Sequence, residues 1–508
     1  MKLPLFIIIK VRDMKTTIQE LMNQCGVAFG TSGARGLANA MTDKVCYLYT
    51  QGFLQSLWSG GQPKQSTARR VAVAGDLRPS TNRIMNSVCQ AVADAGFQPV
   101  HCGQIPSPAL ALFGFQNHLP SIMVTGSHIP DDRNGIKFNK PEGELLKSDE
   151  PGILRQVVGV DEALFDDHGF FKKPLFPAWP DYPQAGERYK KRYWDFFGAD
   201  ALQGLRLAVY QHSAVGRDFL ADILQGLGAQ VTPLGRSDTF IPVDTEAIRP
   251  EDVELARKYA ADGSFDAVVS TDGDSDRPLI SDERGVWLRG DVAGILCARF
   301  LDADSISAPV SCNSAVELCQ WFPEVRRTRI GSPYVVASMQ EASAAGRKRV
   351  VGYEANGGFL LNSPLGSVSC GLAPLPTRDA VLPILGVLLL AKKNAVKISG
   401  LSQWLPPRFT ASDRLQRFPI SRSAEILQRF NSGSEANDRK AMDEFFAGLS
   451  GQVQHINRTD GLRMTFANGE IIHLRPSGNA PELRCYAEAG TEDRANRLVM
   501  EVLKRILA

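Results

Sequence analysis

The fold class follows from RVAVAGDLRPSTNRIMNSVCQAVADAGFQPVHCG, the segment from Arg70 to Gly103. It begins with an apolar, β-branched run, continues through a polar loop into a helical pattern, and returns to a strand-like run after Gly96. A glycine at the end of a helical pattern is typical of a helix C-terminus, because glycine readily adopts the left-handed conformation found there. The segment therefore predicts a β-α-β unit, whose two strands pair in parallel.

The same order of patterns returns twice along the chain. Leu205 to Gly235 repeats it with Gly228 at the helix end, and Ala308 to Gly331 is a weaker third copy. Strands that alternate with helices indicate an α/β architecture with mainly parallel pairing, repeated in successive domains. Near the C-terminus the turn ANGE, Ala467 to Glu470, joins two strand-like runs. This turn predicts a hairpin in a smaller α+β domain.

The chain has 508 residues, which is too long for a single core. A prior of about 150 residues per domain gives three or four domains, with boundaries where the regular patterns lapse. We expect residues 1–27 to be an N-terminal extension and lead-in, followed by domains at 28–200, 201–303, 304–408 and 409–508. The apolar run VLPILGVLLLA, Val381 to Ala391, is too short to span a bilayer and predicts a buried helix.

Charge and cysteine content restrict the class of partner. The net charge is +2, from 57 basic and 55 acidic residues, and no long block of like charge suggests a nucleic-acid or membrane surface. Small molecules are the expected ligands. The nine cysteines lack CxxC spacing, which argues against a disulfide framework or a zinc site and favours the reducing cytoplasm. The run after Met1 lacks a cleavage site for export, and Met14 is a second candidate start.

An acidic loop follows the β-rich run in AVVSTDGDSDRP, Ala267 to Pro278. Its carboxylates are those of Asp272, Asp274 and Asp276. Carboxylates so close together repel one another unless a cation lies among them, and Mg²⁺ is the simplest candidate. An EF-hand has similar spacing, with Glu283 at its twelfth position, but Arg277 stands where glycine is needed and a strand precedes the loop. A solvated acidic turn is disfavoured by that apolar strand.

Four more loops carry groups that suit a phosphorylated ligand. MVTGSHIPDDRNGIKF, Met123 to Phe138, displays Ser127, whose phosphorylated hydroxyl could complete a metal site. RPSGNAPELR, Arg475 to Arg484, combines a guanidinium, a hydroxyl and backbone N–H groups that can hold phosphate. GYEANGGF offers a carboxylate and an amide for sugar hydroxyls, and FGTSGARG places an arginine among glycines. Taken singly, each loop is explained about as well by an ordinary turn.

Together, and in this order, the five loops resemble the α-D-phosphohexomutase superfamily from about residue 28 to the C-terminus. The resemblance implies four domains around a central cleft, of which the first three share an α/β mixed-sheet core and the fourth is a smaller α+β domain. It also implies reversible transfer of phosphate between O6 and O1 of a hexose phosphate. The transfer would proceed through a phosphoserine enzyme and a hexose 1,6-bisphosphate, which also acts as activator. The loops are most similar to those of bacterial phosphomannomutases.

The resemblance also assigns roles to residues. Ser127 would carry the phosphoryl group, the three aspartates would hold Mg²⁺ together with a phosphate oxygen on Ser127, and Lys137 would move the hydroxyl proton. Residues expected to line the phosphoserine site are Arg35, His128 and Arg277. Residues expected to bind the substrate are Gly331, Glu354, Asn356, Arg475, Ser477, Gly478 and Asn479. The expected partner is a hexose phosphate, with no nucleic acid or membrane, and the enzyme would be a monomer or dimer.

The chain departs from the family pattern at the sugar loop. Many relatives carry a histidine, a candidate proton carrier, where this chain has Gly358. Phosphoglucomutase or dual specificity is the first alternative, because glucose and mannose differ only at the C2 hydroxyl. Phosphoglucosamine mutase fits less well, since its relatives usually have FGTDGIRG. A phosphatase with an aspartate nucleophile needs threonine or valine where Asp276 stands, and Gly358 leaves a non-catalytic sugar-phosphate binder open.

Overall fold

The computed structural model describes residues 14–30, 33–58, 69–173, 179–366, 371–477 and 481–508. The chain divides into two units. Unit one comprises Met1–Arg249, Ser270–Asp276 and Leu375–Thr377. Unit two comprises Pro250–Val269, Arg277–Pro374 and Arg378–Ala508.

Unit one is built around a seven-stranded mixed sheet. Its elements in chain order are β1 (Met14–Thr17), α1 (Ile18–Cys25), β2 (Ala28–Phe29), β3 (Gly33–Leu37), α2 (Asp43–Trp58), β4 (Arg70–Gly75), α3 (Thr81–Asp94), β5 (Gln98–Gln104), α4 (Ser107–Asn117), β6 (Ser121–Val124), β7 (Arg133–Lys140), β8 (Gly143–Glu144), α5 (Glu150–Leu154), β9 (Val157–Val160), a 3₁₀ turn (Glu162–Leu164), α6 (Gln184–Phe197), β10 (Arg206–His212), α7 (Arg217–Gly226) and β11 (Gln230–Arg236).

The order of strands in the large sheet is β2-β3-β7-β6-β4-β5, with β8 paired to β7. Strand β4 is parallel to both β5 and β6, whereas β7 is antiparallel to β6 and β3. Helix α2 covers part of the sheet, and Phe53 stacks on Phe138 with ring centroids 4.5 Å apart. Because β4 and β6 are parallel, the loops that follow them leave from the same edge of the sheet, where α/β proteins bind ligands.

Both strong β-α-β predictions in this unit are confirmed. β4, α3 and β5 form the first unit and β10, α7 and β11 the second, each with parallel strands. Gly96 and Gly228 follow the two helices with φ of 80° and 91°, which is the left-handed conformation expected of them.

Unit two contains a second α/β sheet and an antiparallel sheet. Its elements in chain order are α8 (Pro250–Ala260), β12 (Ala267–Thr271), β13 (Pro278–Ile280), α9 (Gly290–Phe300), β14 (Ser305–Pro309), α10 (Ala315–Leu318), β15 (Glu324–Thr328), α11 (Ser332–Ala344), β16 (Val350–Tyr353), β17 (Phe359–Leu361), β18 (Leu365–Gly366), β19 (Gly371–Leu372), β20 (Leu375–Asp379), α12 (Val381–Lys393), α13 (Ile398–Leu401), a 3₁₀ turn (Ser402–Trp404), β21 (Phe409–Leu415), α14 (Ile420–Gln428), α15 (Glu435–Phe445), β22 (Val453–Asn457), β23 (Leu462–Phe466), β24 (Ile471–Pro476), β25 (Leu483–Ala489) and α16 (Glu492–Leu507). The end of β12 and the start of β20 are assigned to unit one.

The sheets of unit two match their sequence patterns. β14 is parallel to β15 and β16, so the third, weaker β-α-β prediction is confirmed, although α10 is only four residues long. The C-terminal sheet has the order β21-β25-β24-β23-β22, all antiparallel, and carries its helices α14, α15 and α16 as an α+β domain. The predicted hairpin joins β23 to β24, with Gly469 at φ 79°. Helix α12 is buried along most of its length, as its apolar sequence predicted.

Two expectations concern the ends and the surroundings of the chain. The N-terminal extension up to residue 13 lies outside the described residues. Among the helices that the structure describes, none combines the length and the apolar character needed to cross a bilayer. Eight cysteines lie in the described part of the chain, and all eight are free thiols.

Candidate active site

Ser127 lies in the loop between β6 and β7 of unit one and is 1% exposed. Its φ is 57°, a left-handed conformation that costs a non-glycine residue about 1 kcal/mol or more. Its Oγ donates a hydrogen bond to Asp272 Oδ2 at 2.7 Å. Its backbone N–H donates to Thr125 Oγ1 at 2.8 Å. The serine is therefore held from both sides, with its hydroxyl directed at the acidic loop.

The acidic loop leaves β12, a strand whose five residues are all buried. Asp272, Asp274 and Asp276 are buried, and one carboxylate oxygen of each lies within 4.8 Å of the others. Lys137 Nζ lies 2.6 Å from Asp274 Oδ2 and 2.9 Å from Asp276 Oδ2. Its positive charge offsets part of the repulsion among the carboxylates, which is strong where water is excluded.

The donor set of this cluster suits a hard divalent cation. Three carboxylate oxygens converge, and a serine hydroxyl binds the first of them, which matches the all-oxygen coordination that Mg²⁺ prefers. An EF-hand is excluded, because Glu283 does not join the cluster and instead accepts a hydrogen bond from Ser399 Oγ at 2.5 Å. The loop is also followed by strand β13 rather than by a helix. The three aspartates could therefore hold Mg²⁺.

The other three candidates for the phosphoserine site, which lie on different segments of the chain, are His128, Arg35 and Arg277. His128 follows Ser127 directly, and its Nε2 is 3.9 Å from Asp244 Oδ2. Arg35 is on the exposed face of β3, opposite Gly135 of β7. Arg277 comes directly after the acidic loop, belongs to unit two and is half-buried.

The candidate sugar loop of unit two is a tight turn between β16 and β17. Glu354 is 4% exposed, and its Oε2 lies 3.1 Å from Arg378 Nη1. Asn356 Oδ1 accepts a hydrogen bond from Gly358 N at 2.9 Å, and Gly357 N donates to Glu354 O at 2.9 Å. An ordinary turn, the alternative to a sugar-binding loop, is thus present, and it fixes the position of a buried carboxylate.

Gly358, where many relatives have histidine, is in contact with an arginine side chain. A Cβ atom at this position would lie 2.5 Å from Arg378 Cδ and 2.6 Å from its Cγ. Arg378 is 7% exposed, and its stem fills the space that a side chain at residue 358 would need. Packing therefore favours glycine here, because a larger residue would require the side chain of Arg378 to shift.

The remaining substrate-binding candidates also lie in unit two. Arg475, on β24, donates from Nε to Asp460 Oδ2 at 2.9 Å. Ser477 N donates to Glu482 O at 2.9 Å, which closes the base of the C-terminal loop. Gly331 precedes α11 with φ 129°. The last two candidates, Gly478 and Asn479, lie outside the described residues.

Sequence analysis missed four residues near Ser127 and the acidic loop. Asp76, Arg78 and Thr125 are buried, and Ser107, at the start of α4, is half-buried. Ser107 Oγ donates to Asp274 Oδ2 at 2.7 Å. The one signal in the sequence is that GDLRPS follows a parallel strand directly, and loops in that position commonly form ligand sites.

Comparison with known proteins identifies the family of this chain. Alpha/beta/alpha domains I, II and III of the phosphoglucomutase/phosphomannomutase family match residues 26–163, 187–285 and 289–409, and the C-terminal domain of the family matches residues 425–505. The chain is 43% identical to a phosphomannomutase of Sinorhizobium fredii, over 94% of this chain and 98% of the relative. It is 42% identical to a phosphomannomutase of Salmonella muenchen, over 96% and 97%.

Solved structures show the same fold. A phosphoglucomutase/phosphomannomutase family protein from Burkholderia thailandensis superposes with a TM-score of 0.71 at 18% identity, covering 94% of this chain and 96% of that one. N-acetylphosphoglucosamine mutase of Aspergillus fumigatus, solved with GlcNAc-6P and magnesium, gives 0.58 at 14% identity, covering 97% and 99%. With all four domains matched and relatives above 40% identity over nearly the whole chain, this protein belongs to the phosphoglucomutase/phosphomannomutase family.

Proposed function

We propose that this protein is a phosphohexomutase that interconverts mannose 6-phosphate and mannose 1-phosphate. The observation that supports the mechanism is the hydrogen bond from Ser127 Oγ to Asp272 in a cluster of three buried carboxylates. A hydroxyl in that position can carry a phosphoryl group beside a bound cation. Glucose phosphates are the alternative substrates, since the two sugars differ at one hydroxyl.

In the proposed mechanism, Ser127 carries the phosphate in the resting enzyme. The O1 hydroxyl of mannose 6-phosphate attacks phosphorus, the bond from phosphorus to Ser127 Oγ breaks, and mannose 1,6-bisphosphate forms. The bisphosphate then turns over and returns its other phosphate to Ser127, which leaves mannose 1-phosphate. A trace of hexose 1,6-bisphosphate would activate any enzyme that has lost its phosphate, by the same return step.

Charge stabilisation and proton transfer complete this proposal. Asp272, Asp274 and Asp276 would hold Mg²⁺, which offsets negative charge on the transferring phosphoryl group. Lys137, as an ammonium ion next to two of these carboxylates, would donate a proton to Ser127 Oγ as the phosphate leaves and take it back in the return step. With glycine at residue 358, His128 beside Asp244 would accept the proton of the attacking sugar hydroxyl and give it back in the return step.

The remaining candidate residues would bind the phosphates and the sugar hydroxyls. Arg35 and Arg277 would pair with phosphate oxygens of the phosphoserine. In unit two, Glu354 and Asn356 would bind sugar hydroxyls, and Gly331 would also contact the substrate. The second phosphate would be bound by the loop of Arg475, Ser477, Gly478 and Asn479. Holding that phosphate fixed would orient the reacting end of the sugar.

The domain division, the cellular location and the oligomeric state belong to the same proposal. We infer the domain division 28–200, 201–303, 304–408 and 409–508, with the metal loop in the second domain and the sugar loop in the third. We also infer a cytoplasmic enzyme, a monomer or dimer, and the eight free thiols of the described residues suit a reducing compartment.

A ³¹P NMR time course tests this function. Purified protein is incubated with Mg²⁺, a trace of hexose 1,6-bisphosphate, and either mannose 1-phosphate or glucose 1-phosphate in separate tubes. We expect the 6-phosphate signal to grow without free phosphate, and faster in the mannose tube. A faster glucose tube would assign phosphoglucomutase activity, release of inorganic phosphate alone would indicate a phosphatase, and no change in either tube would indicate a binder.

A further inference from the structure

We infer that Asp76, Arg78 and Thr125 form a clamp that sets the backbone of Ser127 for phosphoryl transfer, with Asp76 as its anchor. None of the three is proposed to touch the substrate, so they are positioning residues. The inference rests on the proposed function, because it concerns the geometry of the serine that carries the phosphate.

The N–H side of the clamp passes through Thr125. Its Oγ1 accepts a hydrogen bond from Ser127 N at 2.8 Å and donates one to Asp76 Oδ2 at 2.7 Å. A threonine hydroxyl has one proton, so donation to the carboxylate fixes that proton and leaves a lone pair for the serine N–H. The direction of the chain of hydrogen bonds is thereby determined by Asp76.

The C=O side of the clamp passes through Arg78. Its Nη2 donates to Ser127 O at 2.6 Å and to Ile129 O at 2.7 Å. Its Nε forms an ion pair with Asp76 Oδ2 at 3.2 Å, with both side chains fully buried. Both polar backbone groups of Ser127 are therefore bound by side chains that meet on one carboxylate oxygen.

Neighbouring groups restrict the conformation of the Arg78 side chain. Its guanidinium lies over the ring of Phe240, 4.0 Å from the centroid. A Cβ atom at Gly126 would lie 2.5 Å from Arg78 Nε, so only glycine lets the arginine reach across the loop. A Cβ atom at Gly273, in the acidic loop, would lie 2.6 Å from Ser127 O, so the two loops are in close contact at the clamped carbonyl.

The clamp holds Ser127 in its left-handed backbone conformation. Such a conformation persists in a non-glycine residue only where the surroundings impose it, and here it directs Oγ at Asp272. If the clamp is loosened, the serine relaxes and its oxygen moves away from the acidic cluster. Displacement of a reacting atom by about 1 Å can cost on the order of a hundredfold in rate.

Two threonines on Asp76 provide a matched test. Thr125 and Thr81 both donate to this carboxylate, at 2.7 and 2.6 Å, and both are buried, but only Thr125 also binds Ser127 N. We expect Thr125→Val to lower kcat by about tenfold or more with little change in KM, and Thr81→Val to leave kcat within about threefold of the wild type. Both variants lose one hydrogen bond to Asp76, so their melting temperatures should fall by similar amounts. Thr125→Ser restores the hydroxyl and should recover most of kcat.

Equal losses of kcat in the two valine variants, or a loss in Thr125→Val that lies in KM alone, would overturn the clamp. Absence of any mutase turnover in the unsubstituted protein would instead remove the proposed function, and it is seen before any variant is compared.

A second pair of variants serves if Thr125→Val does not fold. Arg83, on α3, also binds an aspartate, at 2.7 Å, together with two backbone carbonyls and a phenylalanine ring. Its side chain is 32% exposed, and it has no hydrogen bond to Ser127 in the described structure. Arg→Lys keeps the charge and loses the planar fork. We expect Arg78→Lys to lower kcat by about tenfold and Arg83→Lys to lower it by less than about threefold, each measured at a temperature where the variant is folded. Equal effects on kcat would refute the inference.

Discussion

Gly358→Ala tests whether glycine at residue 358 is needed to make room for the side chain of Arg378. The added Cβ would lie 2.5 Å from Arg378 Cδ, and the stem of a nearly buried arginine has little room to give way. Overpacking of this kind costs about 1 to 3 kcal/mol. Replacement of glycine by alanine also restricts the unfolded chain, which gains about 0.4 to 1 kcal/mol. The steric cost should win, so we expect Gly358→Ala to lose about 1 kcal/mol and a few degrees of melting temperature.

A control and a second background separate this clash from other effects. A Cβ atom at Gly490, also in unit two, would meet nothing within 4 Å, and neither glycine has a left-handed φ. Gly490→Ala should therefore be neutral or slightly stabilising. In an Arg378→Ala background the clashing methylenes are gone, so Gly358→Ala should cost much less there than in the wild type.

The assay is thermal unfolding of five proteins, the wild type, the three single variants and the double variant, with turnover measured alongside. Displacement of Arg378 should loosen Glu354, its partner at 3.1 Å, and raise KM for the sugar phosphate. An equal cost of Gly358→Ala in both backgrounds would refute the packing argument, as would a Gly358→Ala protein as stable as Gly490→Ala. By the same argument Gly358→His, which restores the side chain of many relatives, should be less active than the wild type.

Three further predictions concern single residues. Ser127→Ala should abolish mutase turnover, measured by ³¹P NMR, at a stability cost of about 1 kcal/mol from one lost hydrogen bond, and retained turnover would exclude the phosphoserine mechanism. Lys137→Met should lower kcat by about a hundredfold or more, because it would remove the proposed proton donor. Isothermal titration should also show tighter Mg²⁺ binding once the competing ammonium is gone, and weaker Mg²⁺ binding would contradict this. Burial lowers the pKa of His473 to about 4, so between pH 6.5 and 4 the unfolded chain binds a proton that the folded chain does not. Stability should therefore fall as the pH drops through this range, and His473→Gln should show a smaller fall in melting temperature; an unchanged fall would refute this origin.

Local patterns in the sequence were enough for the α/β units. The strands and helices of Arg70 to Gly103 and Leu205 to Gly235 follow from apolar periodicity and from the glycines after each helix, both of which are properties of short segments. The buried helix α12 and the hairpin at Gly469 were predicted for the same reason. The short helix α10 gave a weaker pattern, because four residues complete only one turn.

The partners of the candidate site residues could not be predicted in this way. Nothing in GDLRPS indicates that Arg78 would bind the carbonyl of a serine 49 residues later, or that Gly358 would lie against Arg378. These contacts depend on which strands are neighbours in a sheet and on how long side chains fill the space between loops. These contacts are therefore properties of the folded chain, and they cannot be predicted from local patterns in a single sequence.

The clamp on Ser127 depends both on local sequence patterns and on contacts that form only in the folded chain. The acidic loop with Asp272 was predicted as a site because a strand-like run leads into it, and Ser127 because its phosphorylated hydroxyl could complete a metal site, although 145 residues separate the two. Polar residues just past a buried strand have few structural reasons to be there, so their presence signals a site even when their partners are unknown. Asp76 and Arg78 follow β4 in the same manner. A polar loop that follows a parallel strand therefore indicates the clamp residues as well as the acidic cluster.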